Sequence, residues 1–289
     1  MANAARLVRG ESQKEIAKLF DSVAGKYPRY TVWQDFMFMA ATSISNAVDL
    51  VHQEEREKMY LQVADKYTSA ELKVFAQIFN EVVNGMERNP DQDFLGDMYM
   101  SLELGNSHVG QFFTPYSVCR AMAAMAEPDV SGRIEREHFA SVCDPACGAG
   151  ALLVAFANEC LKQKVNYQPN VLFVAQDLDM TVACMCYIHL SLLGCAGYVV
   201  VGDTLYSPST SYDKRGLLPV DNGNVWYTPM YFSPIWHGRK ICARMDLFAH
   251  RNAAESQHIK PEHFENAAPT VSKTTQHFEA DAAGQLSFF

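Results

Sequence analysis

Three carboxylates stand at the ends of three apolar runs. Asp144 opens DPACGAG (144–150), Asp177 lies in QDLD (176–179) and Asp203 in GDTL (202–205). An ionised carboxylate only accepts hydrogen bonds, so it suits ligand hydroxyls and amines. In the first loop Ala146, Gly148 and Gly150 let the backbone pass close to a ligand. The loop leads into a helix whose N-terminus favours negative charge. It lacks the Gly-Lys-Ser/Thr end of a phosphate loop and is not GxGxxG. Each element also has a purely structural reading. A tight strand-to-helix turn needs small residues, Asp179 suits a helix N-cap, and Asp203 suits a turn. Taken in order along one sheet edge, they point to a nucleoside, with Asp177 on the ribose hydroxyls and Asp203 on an exocyclic amine.

The elements that must position these groups follow from the pattern around them. Short apolar strands are expected over 139–143, 171–177 and 197–203, with helices over ALLVAFANECLKQK and MTVACMCYIHLSLLG between them. Strand, helix, strand, helix, strand predicts an α/β, Rossmann-like fold, a mostly parallel sheet with helices on both faces. Residues 11–105 read as helices. In SAELKVFAQIFNEVVNGMER, Leu72, Phe75, Ile78, Phe79, Val82 and Met86 share one face, Ser69 is a candidate cap, and Pro90 stops the run. The expected division is a helical subdomain over 1–105, a catalytic domain over 106–242 and a polar, mobile tail over 243–289.

The totals exclude some classes. No apolar run reaches the ~20 residues that cross a bilayer, and the N-terminus lacks the apolar core of a secretory signal. A cytoplasmic location is expected. The eight cysteines form no CxxC pair and sit mostly in apolar runs, which suits reduced, buried thiols rather than zinc ligands; no metal is expected. A net charge of −9 disfavours a chain that coats nucleic acid by itself.

GQFFTP (110–115), DPACGAGALL (144–153), QDLD and GDTL together resemble the S-adenosylmethionine-dependent DNA adenine methyltransferases. The resemblance is to the modification-subunit type of type I restriction systems and covers about residues 95–242. It implies that Phe113, Thr114 and Pro115 line the methionine end of S-adenosylmethionine. Asp144, Ala146, Gly148 and Gly150 turn around its carboxylate and sulfonium. Asp177 holds its ribose and Asp203 its adenine amine. It also implies DNA as substrate, with the target base flipped out of the duplex. Too little chain follows Cys242 for a recognition domain, so a separate specificity protein is expected.

The resemblance implies a further strand ending in Asn-Pro-Pro-Tyr/Phe. Such a turn accepts both hydrogens of the adenine amine and stacks an aromatic ring on the base. Here the strand is NVWYTPMYFSPIW, and two windows compete: Thr228-Pro229-Met230-Tyr231 and Ser233-Pro234-Ile235-Trp236. The first is preferred by its distance from Asp203, which makes Thr228, Pro229 and Tyr231 the expected catalytic residues. A hydroxyl is a weaker acceptor than an amide, so a cofactor- or partner-binding module with impaired transfer, acting in regulation or DNA protection, is the alternative. The last five residues are Gln285-Leu286-Ser287-Phe288-Phe289. They resemble the pentapeptide by which bacterial proteins bind the DNA-polymerase sliding clamp. Docking on the chain's own domain is the other reading of this segment.

Overall fold

The structure is a computed structural model and describes residues 10–102, 104 and 113–258, the last nine as backbone. Gly110, Gln111 and Phe112 of GQFFTP lie outside the described residues. So does the terminal motif Gln285, Leu286, Phe288 and Phe289. The chain divides into two units, Met1–Asp246 and Leu247–Phe289.

Five helices come first: α1 (Glu11–Val23), α2 (Arg29–Asn46), α3 (Gln53–Ala64), α4 (Ser69–Arg88) and α5 (Phe94–Ser101). In α4, Phe75, Ile78, Val82 and Met86 are buried as the helical spacing predicts, while Leu72 and Phe79 are half-buried. The cap is Thr68, one residue before the expected Ser69. Its hydroxyl accepts the Glu71 N–H at 3.3 Å and the Glu71 carboxylate accepts the Thr68 N–H at 2.6 Å, a reciprocal capping box. The helix ends at Arg88, ahead of Pro90, because the residue before a proline is pushed out of the helical region.

Helices α6 (Tyr116–Ala126) and α7 (Val130–Glu137) lead into β1 (Ala140–Asp144). There follow α8 (Ala151–Lys162), the short α9 (Tyr167–Asn170), β2 (Val171–Asp177), α10 (Met180–Leu192) and β3 (Ala196–Val201). β1, β2 and β3 are parallel neighbours in that order, with Asp144 opposite Ala175 and Asp177 opposite Val201. This is the parallel sheet expected, and each crossover carries a helix, as parallel pairing requires. β2 is buried along nearly its whole length, which explains its unbroken apolar run.

The fourth strand, β4 (Val225–Tyr227), pairs with β3 in the opposite sense: Val225 lies opposite Val200 and Tyr227 opposite Tyr198. β4 therefore starts at the carboxyl end of the parallel strands and finishes near their amino ends. It is tied to the helical part through Arg56. Arg56 of α3 is 2% exposed. It donates to the Val225 carbonyl at 2.6 Å, pairs with Asp49 at 2.8 Å and lies 4.2 Å from the centre of the Trp226 ring. A buried guanidinium is tolerated because its partners are fixed.

One core runs through α1, α2, α4, α5, α8 and α10 onto one sheet face; a second, including Phe139, Tyr198, Tyr231 and Trp236, covers the other face. After a 3-10 turn (Pro229–Phe232), α11 runs from Pro234 to His258, past the boundary expected at 242. All eight cysteines are free, and six of them are buried; Cys143 and Cys242 are exposed. Among the described residues no helix is long and apolar enough to cross a membrane.

Candidate functional site

At the carboxyl ends of β1 and β2 the chain leaves a cleft of about 380 Å3. Its lining includes Phe113, Thr114, Asp144, Ala146, Gly148 and Asp177. The glycine loop is held open by its own backbone. Gly148 and Gly150 adopt φ of +52° and +89°, a region costly for residues with a Cβ. A Cβ on Gly148 would meet the Phe113 ring at 3.3 Å, and one on Gly150 would meet the Cys186 sulfur at 2.8 Å. Phe113 thus rests on the glycine loop, with Tyr99 against it at 5.4 Å. The described end of GQFFTP is brought to the loop it was paired with in the sequence. Thr114 lines the cleft beside it, while Pro115 caps the start of α6.

Asp177 organises the cleft. Its Oδ2 accepts the Gly148 N–H at 2.8 Å and its Oδ1 the Asp179 N–H at 3.0 Å. Each carboxylate oxygen has a second lone pair for a ligand hydroxyl. Asp144 accepts the Ala146 N–H at 3.2 Å. Burial pushes its pKa up, against that hydrogen bond, and the neighbouring Asp177 charge pushes the same way. Asp203 is not among the described residues that line the cleft, and its Oδ1 accepts the Leu205 N–H at 2.8 Å. Thr204 ties this third loop to the first by donating to the Pro145 carbonyl at 2.6 Å. Asp179 caps α10 through the Thr181 N–H at 2.7 Å, the structural role weighed for it.

Two residues that the sequence reading missed hold this arrangement. Gln176 is fully buried; its amide donates to the Gly202 and Ser207 carbonyls and accepts from the Ser209 N–H, fixing the loop after β3 to β2. His189, also fully buried, bonds the Ala149 carbonyl through Nδ1 at 2.8 Å and accepts the Leu95 N–H through Nε2 at 3.1 Å. A lone histidine inside the apolar run of α10 was its signal.

Burial holds His189 neutral, with a pKa of about 4, against the pull of the Ala149 carbonyl. A folded pKa below the unfolded value of about 6.5 means that the stability it contributes is full above pH 6.5. That stability is lost as pH falls toward 4, on the order of 3 kcal/mol. Asp93, raised by burial to about 6 against its Gly96 hydrogen bond, works in the opposite direction over the same window. The test is therefore a difference. The melting temperature of wild type should fall between pH 7 and 4.5 more steeply than that of His189→Gln, and parallel profiles would contradict the assignment.

The expected catalytic turn is brought elsewhere. Thr228 is fully buried. Its hydroxyl donates to the Cys195 carbonyl at 2.7 Å, accepts the Gly197 N–H at 3.0 Å and lies 3.1 Å from the Gly197 carbonyl. Gly197 is the second residue of β3, so Thr228 sits toward the amino end of the parallel strands, opposite the cleft. Pro229 opens the 3-10 turn, and the buried Tyr231 donates its hydroxyl to the Leu217 carbonyl at 2.7 Å. The competing window is no closer to the cleft in role: Trp236 is buried and donates to the Gln168 carbonyl at 2.8 Å. Antiparallel pairing of β4 is the physical reason, since it reverses which end of the strand the turn follows.

The lining of the cleft selects among ligands. Among the described residues two carboxylates and no lysine or arginine line it, which disfavours a phosphate and suits a ligand with positive groups and hydroxyls. Fold and site together define an α/β domain with an acidic cleft at the carboxyl ends of its parallel strands. The chain belongs to the N-6 DNA methylase family, whose model matches residues 90–256. Its cofactor is S-adenosylmethionine. Among solved structures it is similar to a putative class I S-adenosylmethionine-dependent methyltransferase from Listeria monocytogenes, at 16% identity and a TM-score of 0.36. The match covers 73% of this chain and 56% of that one, so the chain spans little more than half of that protein's length. No curated protein matches the chain significantly.

The residues present fit this cofactor: the acidic lining suits a ligand with a sulfonium and an ammonium, and the Asp177 carboxylate, beside a loop with no Cβ at Gly148, could accept from a diol. When bound, S-adenosylmethionine supplies an electrophilic methyl group. Asp177, Phe113, Thr114 and Asp144 line the cleft that would hold the donor.

Proposed function

We propose that this chain is the donor-holding subunit of a DNA methyltransferase acting on the exocyclic amine of adenine, and that it does not complete the transfer alone. The observation that carries the reading is the contrast between the two halves. Gly148, Gly150, Asp144 and Asp177 form a cleft suited to the donor, whereas the hydroxyls of Thr228 and Tyr231 are bound to backbone carbonyls away from it. In this reading Phe113, Thr114, Pro115, Ala146 and Asp203 complete the cofactor site. The amine acceptors come from a second protein, and a separate specificity protein chooses the sequence within a cytoplasmic restriction-modification assembly. The burial of Thr228 also favours a second reading, a cofactor-binding module that regulates or protects DNA and never transfers.

One assay separates them. Purified chain with tritiated cofactor and mixed DNA should give no labelled DNA, and addition of extract from cells that carry the partner should give label at adenine N6. Label without extract contradicts the incomplete-site reading. Absence of label with extract, while cofactor still binds, selects the regulatory module.

The terminal motif gives the complex a route to DNA despite its acidic charge. A peptide of residues 280–289 should bind purified sliding clamp at micromolar affinity through Gln285, Leu286, Phe288 and Phe289, with Leu286 and the two phenylalanines in an apolar pocket. Gln285→Ala or Phe289→Ala should abolish binding in a fluorescence titration; unchanged binding would remove the clamp from the account.

A further inference from the structure

A second cleft, of about 510 Å3, opens where β4 forms the edge of the sheet, and it shares no lining residue with the first. Its wall is aromatic. Tyr227 and Tyr231 lie ring on ring at 5.0 Å and 15°, and Phe232 stands edge-on to both at 5.9 and 6.0 Å. Tyr231 is core, but Phe232 is 40% exposed and Tyr212, which lines the same cleft, is 59% exposed. Two π faces therefore remain open to solvent beside a ring stack.

The charges around this wall do not cancel. The acids have partners of their own: Asp49 pairs with Arg56 and contacts His52, both at 2.8 Å, and Asp221 accepts the Tyr227 hydroxyl at 2.8 Å with His52 Nε2 at 3.3 Å. The two cations of the cleft, Lys240 and Arg244, have no carboxylate within ion-pair distance among the described residues. Lys240 donates to the Tyr231 carbonyl at 3.0 Å and stands 3.7 Å over the Tyr231 ring. Burial, with Arg244 adding to it, lowers its pKa to about 8, so it stays mostly charged at neutral pH and an anion beside it would raise that pKa. On a chain of net charge −9, two unmatched cations beside open aromatic faces mark a local exception.

A ligand that uses both features needs a flat ring and an anion a few ångströms away, which is a nucleotide. In a duplex the base faces are covered by their neighbours, so a concave cleft lined by open rings suits an unpaired strand. We propose that the cleft bounded by Tyr212, Phe232, Lys240 and Arg244 holds a nucleotide of single-stranded DNA, with the base on the rings and the phosphate on the two cations. The choice of DNA rests on the reading given under Proposed function, but the site itself does not depend on methyl transfer. A strand displaced when a duplex is opened for base modification would supply such a ligand.

The test is fluorescence anisotropy with a labelled oligodeoxynucleotide of about ten residues, a length within the usual range of single-strand sites. The same sequence as duplex, and adenosine monophosphate as competitor, form the other arms. Wild type should bind the single strand at least fivefold more tightly than the duplex. Phe232→Ala should weaken binding about fivefold or more, by the usual worth of one stacked base. Arg244→Gln should weaken binding and flatten the log–log salt dependence by about 0.7, the loss of one phosphate contact. Both side chains are exposed, and melting curves with cofactor titrations on the same variants establish that the fold and the donor cleft are intact. No strand binding, equal binding by both variants, or a duplex bound as tightly as the single strand would each overturn the site. Binding of the mononucleotide without the strand would overturn the strand assignment.

Discussion

Asp177→Ala is expected to lower the affinity for S-adenosylmethionine by about a hundredfold or more. The carboxylate does two things at once. It offers acceptors to a ligand diol, at about 1.5–3 kcal/mol for a hydrogen bond to a charged group, and it fixes the Gly148 N–H at 2.8 Å, which anchors the loop that lines the cleft. Removing about 3 kcal/mol is a factor of roughly a hundred in the dissociation constant. Asp177→Asn keeps the shape and one acceptor, and should lose less. Calorimetry on the three proteins reads this directly, and an alanine variant within threefold of wild type would place the ribose elsewhere.

Thr228→Asn carries the second large effect, and the sign is the informative part. If the turn met the adenine amine, an amide there would strengthen the acceptor and raise methyl transfer. The structure gives the opposite expectation. Thr228 is fully buried and its hydroxyl is engaged with Cys195 and Gly197. A larger amide overpacks the site and leaves polar atoms unmatched, at a cost of about 3 kcal/mol, or roughly 6–12 °C in melting temperature for a chain of this size. Thermal melting by circular dichroism, together with the tritium assay, separates the two. A variant that melts like wild type and gains transfer would return the turn to the catalytic role.

The sequence was legible where local chemistry decides the outcome. The run VLFVAQD is the strand Val171–Asp177 because a strand buried on both faces must be apolar throughout. DPACGAG is a turn with two positive-φ glycines because few other residues permit it. Gln111 and its neighbours aside, GQFFTP meets the glycine loop through Phe113. What could not be read was the direction of β4. The segment NVWYTPMY alternates in the same way whichever end lies beside Val200, and a three-residue strand has little register information of its own. Its contact with Arg56, which donates to the Val225 carbonyl, comes from far away in sequence. The helix to His258 was hidden for a related reason. Beyond Cys242 the residues are polar with scattered alanine, and without an apolar stripe the periodicity that announces a helix is missing.

The account stands on the donor cleft, and an isothermal titration of the wild-type chain with S-adenosylmethionine tests it most directly. The prediction is saturable binding of one molecule per chain at micromolar affinity, with no binding of adenosine triphosphate, whose phosphates the acidic lining repels. Absence of heat with cofactor at millimolar concentration, or tighter binding of the triphosphate, would contradict it.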